Sequence, residues 1–369
     1  QRPCSAAAVF TRNQVVAAPV IIDRETLKKD RRQICAVIAN SGNANACTGQ
    51  SGLENARRMQ QLTAEALGCH TQQVLVLSTG VIGVPLPMSK IAQGIAAAAN
   101  GLQPDYGSMA AQAIMTTDTY PKHMAVRVEL TDGTVTIGGI AKGSGMIHPD
   151  MATLLGVFTT DAAVEPGLLD RLLRTAVNQS FNRISIDGDT STNDTVLLLA
   201  NSSSQIHLSN QQDIDQFQLA LNAICADMAK TIVRDGEGAT KFVEIKVVGA
   251  PDDQSAHVIA ATVATSPLVK TAFAGSDANW GRILAAAGRS GIAFDQHQVS
   301  LSIGVTDVTQ LQIVTQGTPT AYQEADAAAI FNEPEFKILL DCGAGPGKAT
   351  MWTSDLSHEY VTINADYRT

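Results

Sequence analysis

The segment GGIAKGSGMIHPDMATLL, residues 138–155, decides how this sequence is interpreted. Four glycines and a proline follow directly after a predicted strand. Glycine allows backbone conformations and close approaches that other residues resist, so such a segment can bring reacting groups together. Composition alone favours a simpler interpretation, a tight loop between two strands, because Gly-rich turns are common.

Short apolar runs, which are typical of buried strands, alternate with helical patterns on both sides of this segment. We expect Gly68 to end a helix and Asp132-Gly133 to form a hairpin turn. The residues 250–256 are expected to form a surface loop. Predicted strands lie at 34–38, 74–77, 124–130, 134–137, 195–200, 242–248, 257–263, 298–304 and 335–340, and predicted helices at 53–66, 88–99, 166–178, 213–231 and 323–331. The mixture predicts an α+β fold of layered helices and mostly antiparallel sheets.

Length and charge restrict the class of protein. The chain has 369 residues, of which 45% are hydrophobic and 17% charged, as expected for one large folded domain or two ordinary ones. Its formal net charge is −9, and the only basic cluster, residues 28–32, is interpreted as a solvated turn. Because nucleic-acid binding needs a basic face, we expect no nucleic-acid partner.

The cysteines and the hydropathy suggest a location. Six cysteines are scattered without a C-x-x-C pair, so neither a disulfide framework nor a metal site is expected, and a reducing cytoplasm fits best. No apolar run approaches 18 residues, so no membrane partner is expected. No signal peptide is visible, and because the chain opens at Gln1, a preceding targeting segment stays an open alternative.

The segment 138–155 resembles the hallmark of the ornithine acetyltransferases, also called bifunctional glutamate N-acetyltransferases, K-G-x-G-M-x-x-P-x-M-A-T-x-L. Six further segments resemble that family and occur in the expected order. They are NSGNANACTG at 40–49, STGVIG at 78–83, TTDT at 116–119, DGEGATK at 235–241, SPLVKTAFAGSDANWGRIL at 266–284 and WTSDLSHEYVTIN at 352–364. An ordered series of seven matches is far harder to obtain by chance than a single one.

The resemblance implies an architecture and an assembly. The family's fold is a self-processing catalytic core of the N-terminal-nucleophile-like kind, built from layered sheets and helices, with a smaller C-terminal α+β domain. We place the core at 1–265 and the smaller domain at 266–369, whose end is expected to return to the active site. Two copies of each cleaved chain are expected to form an α₂β₂ heterotetramer.

The resemblance also implies that Thr153 is the nucleophile. A threonine hydroxyl needs a nearby base, and a threonine at a chain start supplies its own α-amine, whose usual pKa of about 7.7–8.0 suits that role. Thr153 is internal, so the chain must first be cut between Ala152 and Thr153. The family implies that the Thr153 hydroxyl performs this cut on itself.

The implied activity belongs to arginine biosynthesis and needs no cofactor. Acetyl passes from N2-acetyl-L-ornithine to Thr153 and then to L-glutamate, which releases ornithine and N-acetylglutamate. In the family, the tetrahedral intermediates carry a negative oxygen, the oxyanion, and the resemblance assigns its stabilisation to Thr79 and Gly80. A cation is needed to bind the substrate carboxylate, and an acidic side chain is needed to bind the ornithine ammonium. Glu237 is the implied acidic residue, and Asp235 is its rival. The implied substrate-binding residues are Thr116, Lys142, Thr153, Glu237, Asn364 and Thr369.

Three alternatives stay open at this point. Water could replace glutamate as acceptor, as in a related self-processing aminopeptidase or amidase. The chain could be an uncleaved binding protein without activity. Acetyl-CoA could serve as a second acetyl donor, and no motif in the sequence decides this.

Overall fold

The computed structural model describes residues 3–148, 154–308, 310–343 and 345–366. The predicted cleavage-site residues Ala152 and Thr153 and the predicted substrate-binding residue Thr369 therefore lie outside the described residues. Within the described part, the chain forms two compact units. The first comprises the residues up to 182 together with 189–232, and the second comprises 183–188 and 233–366. The domain boundary expected at 265 stays a prediction.

Strands and helices are interspersed along the described chain. The strands are β1 Ser5–Phe10, β2 Ala36–Asn40, β3 Val74–Ser78, β4 Lys122–Leu130, β5 Gly133–Lys142, β6 Leu155–Thr160, β7 Ile184–Ser185, β8 Thr195–Ala200, β9 Phe242–Ala250, β10 Ser300–Gly304, β11 Gln310–Thr315, β12 Thr318–Pro319, β13 Glu335–Asp341 and β14 Gly347–Ser354. The helices are α1 Ala18–Lys29, α2 Gly49–Leu67, α3 Met88–Asn100, α4 Gly107–Ala113, α5 Pro166–Gln179, α6 Gln211–Arg234, α7 Asp253–Ala264, α8 Pro267–Ala274, α9 Trp280–Gly288, α10 Glu324–Asn332 and α11 His358–Asp366.

The first unit is built on a five-stranded sheet with the order β1-β8-β6-β5-β4. All of its pairs are antiparallel except β6 with β8. Strand β8 has the sequence TVLLLA, and every residue of it is buried. A strand that is covered on both faces carries such a continuous apolar run. Strands β5 and β6 pair from Lys142 opposite Leu155, so the two ends of the segment 142–155 are held side by side.

The second unit is built on a seven-stranded sheet with the order β12-β11-β10-β13-β9-β14-β7. Helix α7 packs on β9 and β14. Three buried aromatic rings fill the core beside this sheet. Phe331 and Phe336 stack with centroids 4.5 Å apart, and Phe273 meets Phe336 edge-on at 5.4 Å. Aromatic residues make up only 4% of the chain, and these three supply large apolar side chains to the core of the unit.

The predicted layered α+β fold is confirmed, since helices pack against sheets and most strand pairs are antiparallel. Gly68 ends α2 in the left-handed conformation, with φ of +67°, as expected. The hairpin at Asp132-Gly133 joins β4 and β5. Every predicted helix is present with shifted ends.

The predicted strand at 257–263 is wrong, because these residues form the second half of α7. Asp252 caps that helix by accepting a hydrogen bond from the Ser255 N–H at 2.7 Å. Ala256, Ile259, Ala260 and Val263 are fully buried, and this spacing is helical rather than alternating. The predicted loop at 250–256 is consequently also wrong in part, since α7 begins at Asp253.

Candidate active site

Lys142 is the centre of the site in the first unit. It is the last residue of β5 and is only 3% exposed. Its ammonium donates to the Thr116 Oγ1 at 2.7 Å and to the Thr79 Oγ1 at 3.3 Å. The structure therefore brings three of the predicted site residues together around one buried cation, although they are far apart in the sequence.

Asp118 holds this cation in position. Its carboxylate lies 3.7 Å from the Lys142 Nζ, and its other oxygen accepts from the Lys122 Nζ and from the Gly143 N–H, each at 2.7 Å. Burial alone would raise the pKa of Asp118. The charges of Lys142 and Lys122, with the hydrogen bonds of Lys122 and Gly143, outweigh burial and lower that pKa below its usual value. Asp118 is therefore ionised, and sequence reasoning missed it although it lies within the TTDT motif.

Gly80 has to be glycine for two reasons. Its φ is +129°, a value that residues with a Cβ atom rarely adopt. A Cβ atom would also collide with the backbone of Gly42 and Asn43, which lies against it. The neighbouring Thr79 is 3% exposed, and its N–H donates to the Asn40 carbonyl at 3.0 Å. The segment after β3 is thereby fixed against the NSGN turn at 40–43.

A second polar element, which sequence reasoning missed, lies just before β8. Asn193 donates to the Ser78 carbonyl at 2.8 Å and to the Ala44 carbonyl at 2.6 Å. The neighbouring Asp194 accepts from the Leu154 N–H at 2.9 Å. These two side chains thus connect the end of β3 with the start of the strand that follows Thr153. The available signal was the polar run STND directly before an apolar strand.

The backbone ahead of the predicted cleavage site is unusual. Met146 has a φ of +56°, although it carries a side chain, and Gly143 has a φ of +155°. A non-glycine residue in the left-handed region costs about 1–3 kcal/mol, and such conformations cluster at functional sites. The bond between Ala152 and Thr153 itself lies outside the described residues.

In the second unit, Glu237 and Asn364 meet. The Asn364 Nδ2, on α11, donates to the Glu237 Oε2 at 2.8 Å. The Ser357 Oγ donates to the carbonyl of Gly238 at 2.6 Å, which ties the DGEGATK loop to the start of the same helix. Asp355 adds a further link, since its carboxylate accepts from the Thr240 hydroxyl at 2.6 Å. Two predicted site residues are therefore held together within this unit, far from each other in sequence.

The sequence profile of the ArgJ family matches residues 1–369. The chain belongs to the ArgJ family. The arginine biosynthesis bifunctional protein ArgJ of Symbiobacterium thermophilum is 50% identical over 369 residues, which is 100% of this chain and 90% of that protein. The mitochondrial ArgJ of Sordaria macrospora is 48% identical and aligns with 100% of this chain and 82% of its own length.

A solved structure of the ArgJ family supports the fold. The crystal structure of ArgJ from Bacillus halodurans superimposes with a TM-score of 0.53 at 41% identity. The match covers 57% of this chain and 97% of that one, so the crystallised chain is itself little more than half as long. Among the described helices of our ArgJ-family chain, none is both long and apolar enough to cross a bilayer.

Proposed function

We propose that the chain transfers the acetyl group of N2-acetyl-L-ornithine to L-glutamate through an acetyl-Thr153 intermediate. One observation carries this proposal: in a member of the ArgJ family, the buried Lys142 ammonium joins the Thr79 and Thr116 hydroxyls. Both substrates carry a free carboxylate, and a point-like ammonium next to hydroxyl groups suits its recognition. Lys142 and Thr116 are accordingly assigned to that carboxylate.

The same contact prepares the proposed oxyanion hole. The Thr79 hydroxyl accepts a hydrogen bond from Lys142, so its own proton remains available to donate. The Gly80 N–H supplies the second donor. When the Thr153 hydroxyl attacks the acetyl carbonyl, these two donors stabilise the negative oxygen, and the Thr153 α-amine receives the hydroxyl proton. The C–N bond to ornithine then breaks, that proton leaves with ornithine, and the glutamate amine attacks the acetyl ester in the same way.

Glu237 is assigned to the side-chain ammonium of ornithine. Its Oε2 already accepts from Asn364, and a carboxylate has lone pairs left for further donors. Asn364 therefore orients the acid, and Thr369 completes the proposed binding set. Asp235 is the weaker rival, because the contact with Asn364 is made by Glu237.

Self-cleavage before Thr153 is part of the proposal. It would leave fragments of 152 and 217 residues (369 − 152 = 217), the larger being little more than half of the chain. The crystallised ArgJ of Bacillus halodurans has that relative length, which supports such a cut. The proposed assembly contains two copies of each fragment.

The cytoplasmic location also remains a proposal. The structure describes all six cysteines as thiols rather than disulfides, the form that cysteines take in a reducing compartment. The relatives from Sordaria macrospora and Neurospora crassa are named as mitochondrial proteins. Cell fractionation with immunodetection distinguishes the two locations, and recovery with mitochondria would contradict the cytoplasmic assignment.

The deciding experiment is the intact mass of the purified protein under denaturing conditions, before and after adding N-acetylornithine. Dividing 38.8 kDa in proportion to length predicts species of about 16 and 23 kDa. The larger should start at Thr153 and gain one acetyl group from the donor. A single uncleaved species that forms no acetyl adduct would contradict the proposal.

The acceptor and the second donor are tested with the same preparation. Transfer predicts that N-acetylglutamate forms in step with ornithine, whereas release of acetate without glutamate would indicate a hydrolase. Several relatives are named bifunctional, which supports acetyl-CoA as a second donor. Formation of N-acetylglutamate from acetyl-CoA and glutamate measures that activity directly.

A further inference from the structure

We propose that Asp194 is the positioning residue for the catalytic amine of Thr153, a role that rests on the proposed function. Its side chain is completely buried in the first unit. One carboxylate oxygen, Oδ1, accepts from the Leu154 N–H at 2.9 Å. The other, Oδ2, is buried and has no hydrogen-bond partner among the described residues. A buried polar atom that lacks a partner is rare and requires a physical explanation, and a catalytic role is one such explanation.

Covalent geometry connects this carboxylate to the nucleophile. The Leu154 nitrogen is joined to the Thr153 nitrogen by three bonds of about 1.46, 1.52 and 1.33 Å, so the two nitrogens are less than about 4 Å apart. Asp194 thus binds the amide next to the one that becomes the α-amine on cleavage. The Thr11 hydroxyl also lies near this carboxylate. Its proton is donated to the Ser191 carbonyl at 2.6 Å, which leaves Oδ2 without a donor among the described residues.

The electrostatic surroundings favour an added cation. Burial raises the pKa of Asp194 well above its usual value, while the Leu154 N–H, the charge of Lys142 on β5 and the neighbouring Thr11 side chain act in the opposite direction. Lys142 is itself shared with Asp118, from the segment before β4. Cleavage creates a new basic group beside Asp194, and an ammonium there would compensate the buried carboxylate.

This arrangement resembles the division of labour in a Ser-His-Asp triad. There, a buried aspartate orients the base and stabilises the positive charge that the base acquires. Here the base is the Thr153 amine, which becomes an ammonium when it takes the hydroxyl proton. Asp194 stabilises that ammonium and holds it until the proton passes to the departing ornithine amine.

The test compares two matched variants, Asp194→Asn and Asp23→Asn. Asp23 is also completely buried, accepts one backbone N–H (from Val76 at 2.8 Å), and has a second oxygen without a partner in the described structure. Burial raises the pKa of both carboxyls well above the usual range. The two aspartates therefore share their chemistry, but only Asp194 adjoins the nucleophile.

We expect Asp194→Asn to lower kcat by at least about tenfold. The acid limb of its kcat/KM profile should move about one pH unit lower, because the amine loses an adjacent negative charge that favours its protonated form. Asp23→Asn should keep the wild-type limb. An unchanged limb and kcat in a cleaved Asp194→Asn enzyme would overturn the proposal for Asp194 alone. A wild-type protein that neither cleaves nor transfers acetyl would instead contradict the proposed function.

Asp194→Asn could also block maturation. If it stays uncleaved while Asp23→Asn matures, Asp194→Glu provides the second test, because it keeps the charge. Restored cleavage and a restored acid limb in Asp194→Glu support the proposal, and failure to restore either overturns it.

Discussion

Replacing Gly80 with alanine tests the proposed oxyanion hole, and Gly83→Ala is a control within the same STGVIG segment. Both glycines have positive φ, +129° at Gly80 and +82° at Gly83. Holding alanine in a left-handed conformation costs about 1–2 kcal/mol, so both variants carry a backbone penalty, and the penalty is the larger at Gly80 because its φ lies further from the values that alanine adopts. The two positions also differ in the room around an added Cβ atom. At Gly83 it meets nothing within 4 Å, whereas at Gly80 it collides with the backbone of Gly42 and Asn43.

The collision sets the expected size of the catalytic effect. Relieving it requires a backbone shift on the order of 1 Å, and a misplacement of that size can cost about 100-fold in rate. Loss of one oxyanion donor lowers kcat by about 10²–10³. We therefore expect kcat of Gly80→Ala to fall about 10²–10³, and kcat of Gly83→Ala to stay within about threefold of the wild type.

The assay is ornithine release from N-acetylornithine in the presence of glutamate, with cleavage of each variant verified by intact mass. Urea unfolding reports the free energy of unfolding of both variants and separates loss of structure from loss of the donor. Self-cleavage also forms a tetrahedral oxyanion, so Gly80→Ala should mature more slowly. Equal kcat values for the cleaved Gly80→Ala and Gly83→Ala enzymes would refute the assignment of the Gly80 N–H.

Three further predictions address the nucleophile and two buried lysines. Thr153→Ala should abolish cleavage and turnover, whereas Thr153→Ser should keep part of each. Intact mass measures cleavage and ornithine release measures turnover, and a fully active Thr153→Ala enzyme would end the nucleophile assignment. Lys122→Met leaves the buried Asp118 without its closest charged partner and should lower the free energy of unfolding by about 3–5 kcal/mol. The more exposed Lys337→Met should lower it by less than about 1 kcal/mol, and equal losses in urea would contradict this. Burial lowers the pKa of Lys270 to about 7. Between pH 7 and about 10.4 the unfolded chain therefore binds a proton that the folded chain lacks. The free energy of unfolding should consequently rise with pH over this range. Lys270→Met should flatten that rise in urea titrations, and an unchanged slope would show that Lys270 stays charged in the fold.

Apolar spacing predicted eight of the fourteen strands and five of the eleven helices in the described part of the chain, because each pattern reflects which face of an element is buried. The failure at 257–263 shows the limit of such patterns. HVIAATV is rich in β-branched residues, and a short apolar run of this kind reads equally as a buried strand or as one face of a buried helix. The Asp252 cap, which begins the helix, was visible in the sequence but lay inside an expected loop.

The motifs predicted which residue types belong to the site, but not how they are held. Thr79, Thr116 and Lys142 occur in three separate segments, and only the folded sheet places their side chains within hydrogen-bonding distance. Asp118 and Asp194 escaped prediction because their properties depend on their surroundings in the folded chain. The pKa is lowered at Asp118 by two ammonium neighbours and raised at Asp194 by desolvation.

The sequence by itself determined the family, the layered α+β class and the nucleophile hypothesis, since these depend on residue identity and on order along the chain. Tertiary structure alone decided that Gly80 lies against the Gly42–Asn43 backbone, that Asp118 fixes Lys142, and that Asp194 reaches the amide after Thr153. The physical reason is that hydrogen bonds and charge effects of this kind act over a few ångströms between residues many positions apart, and the fold sets those distances.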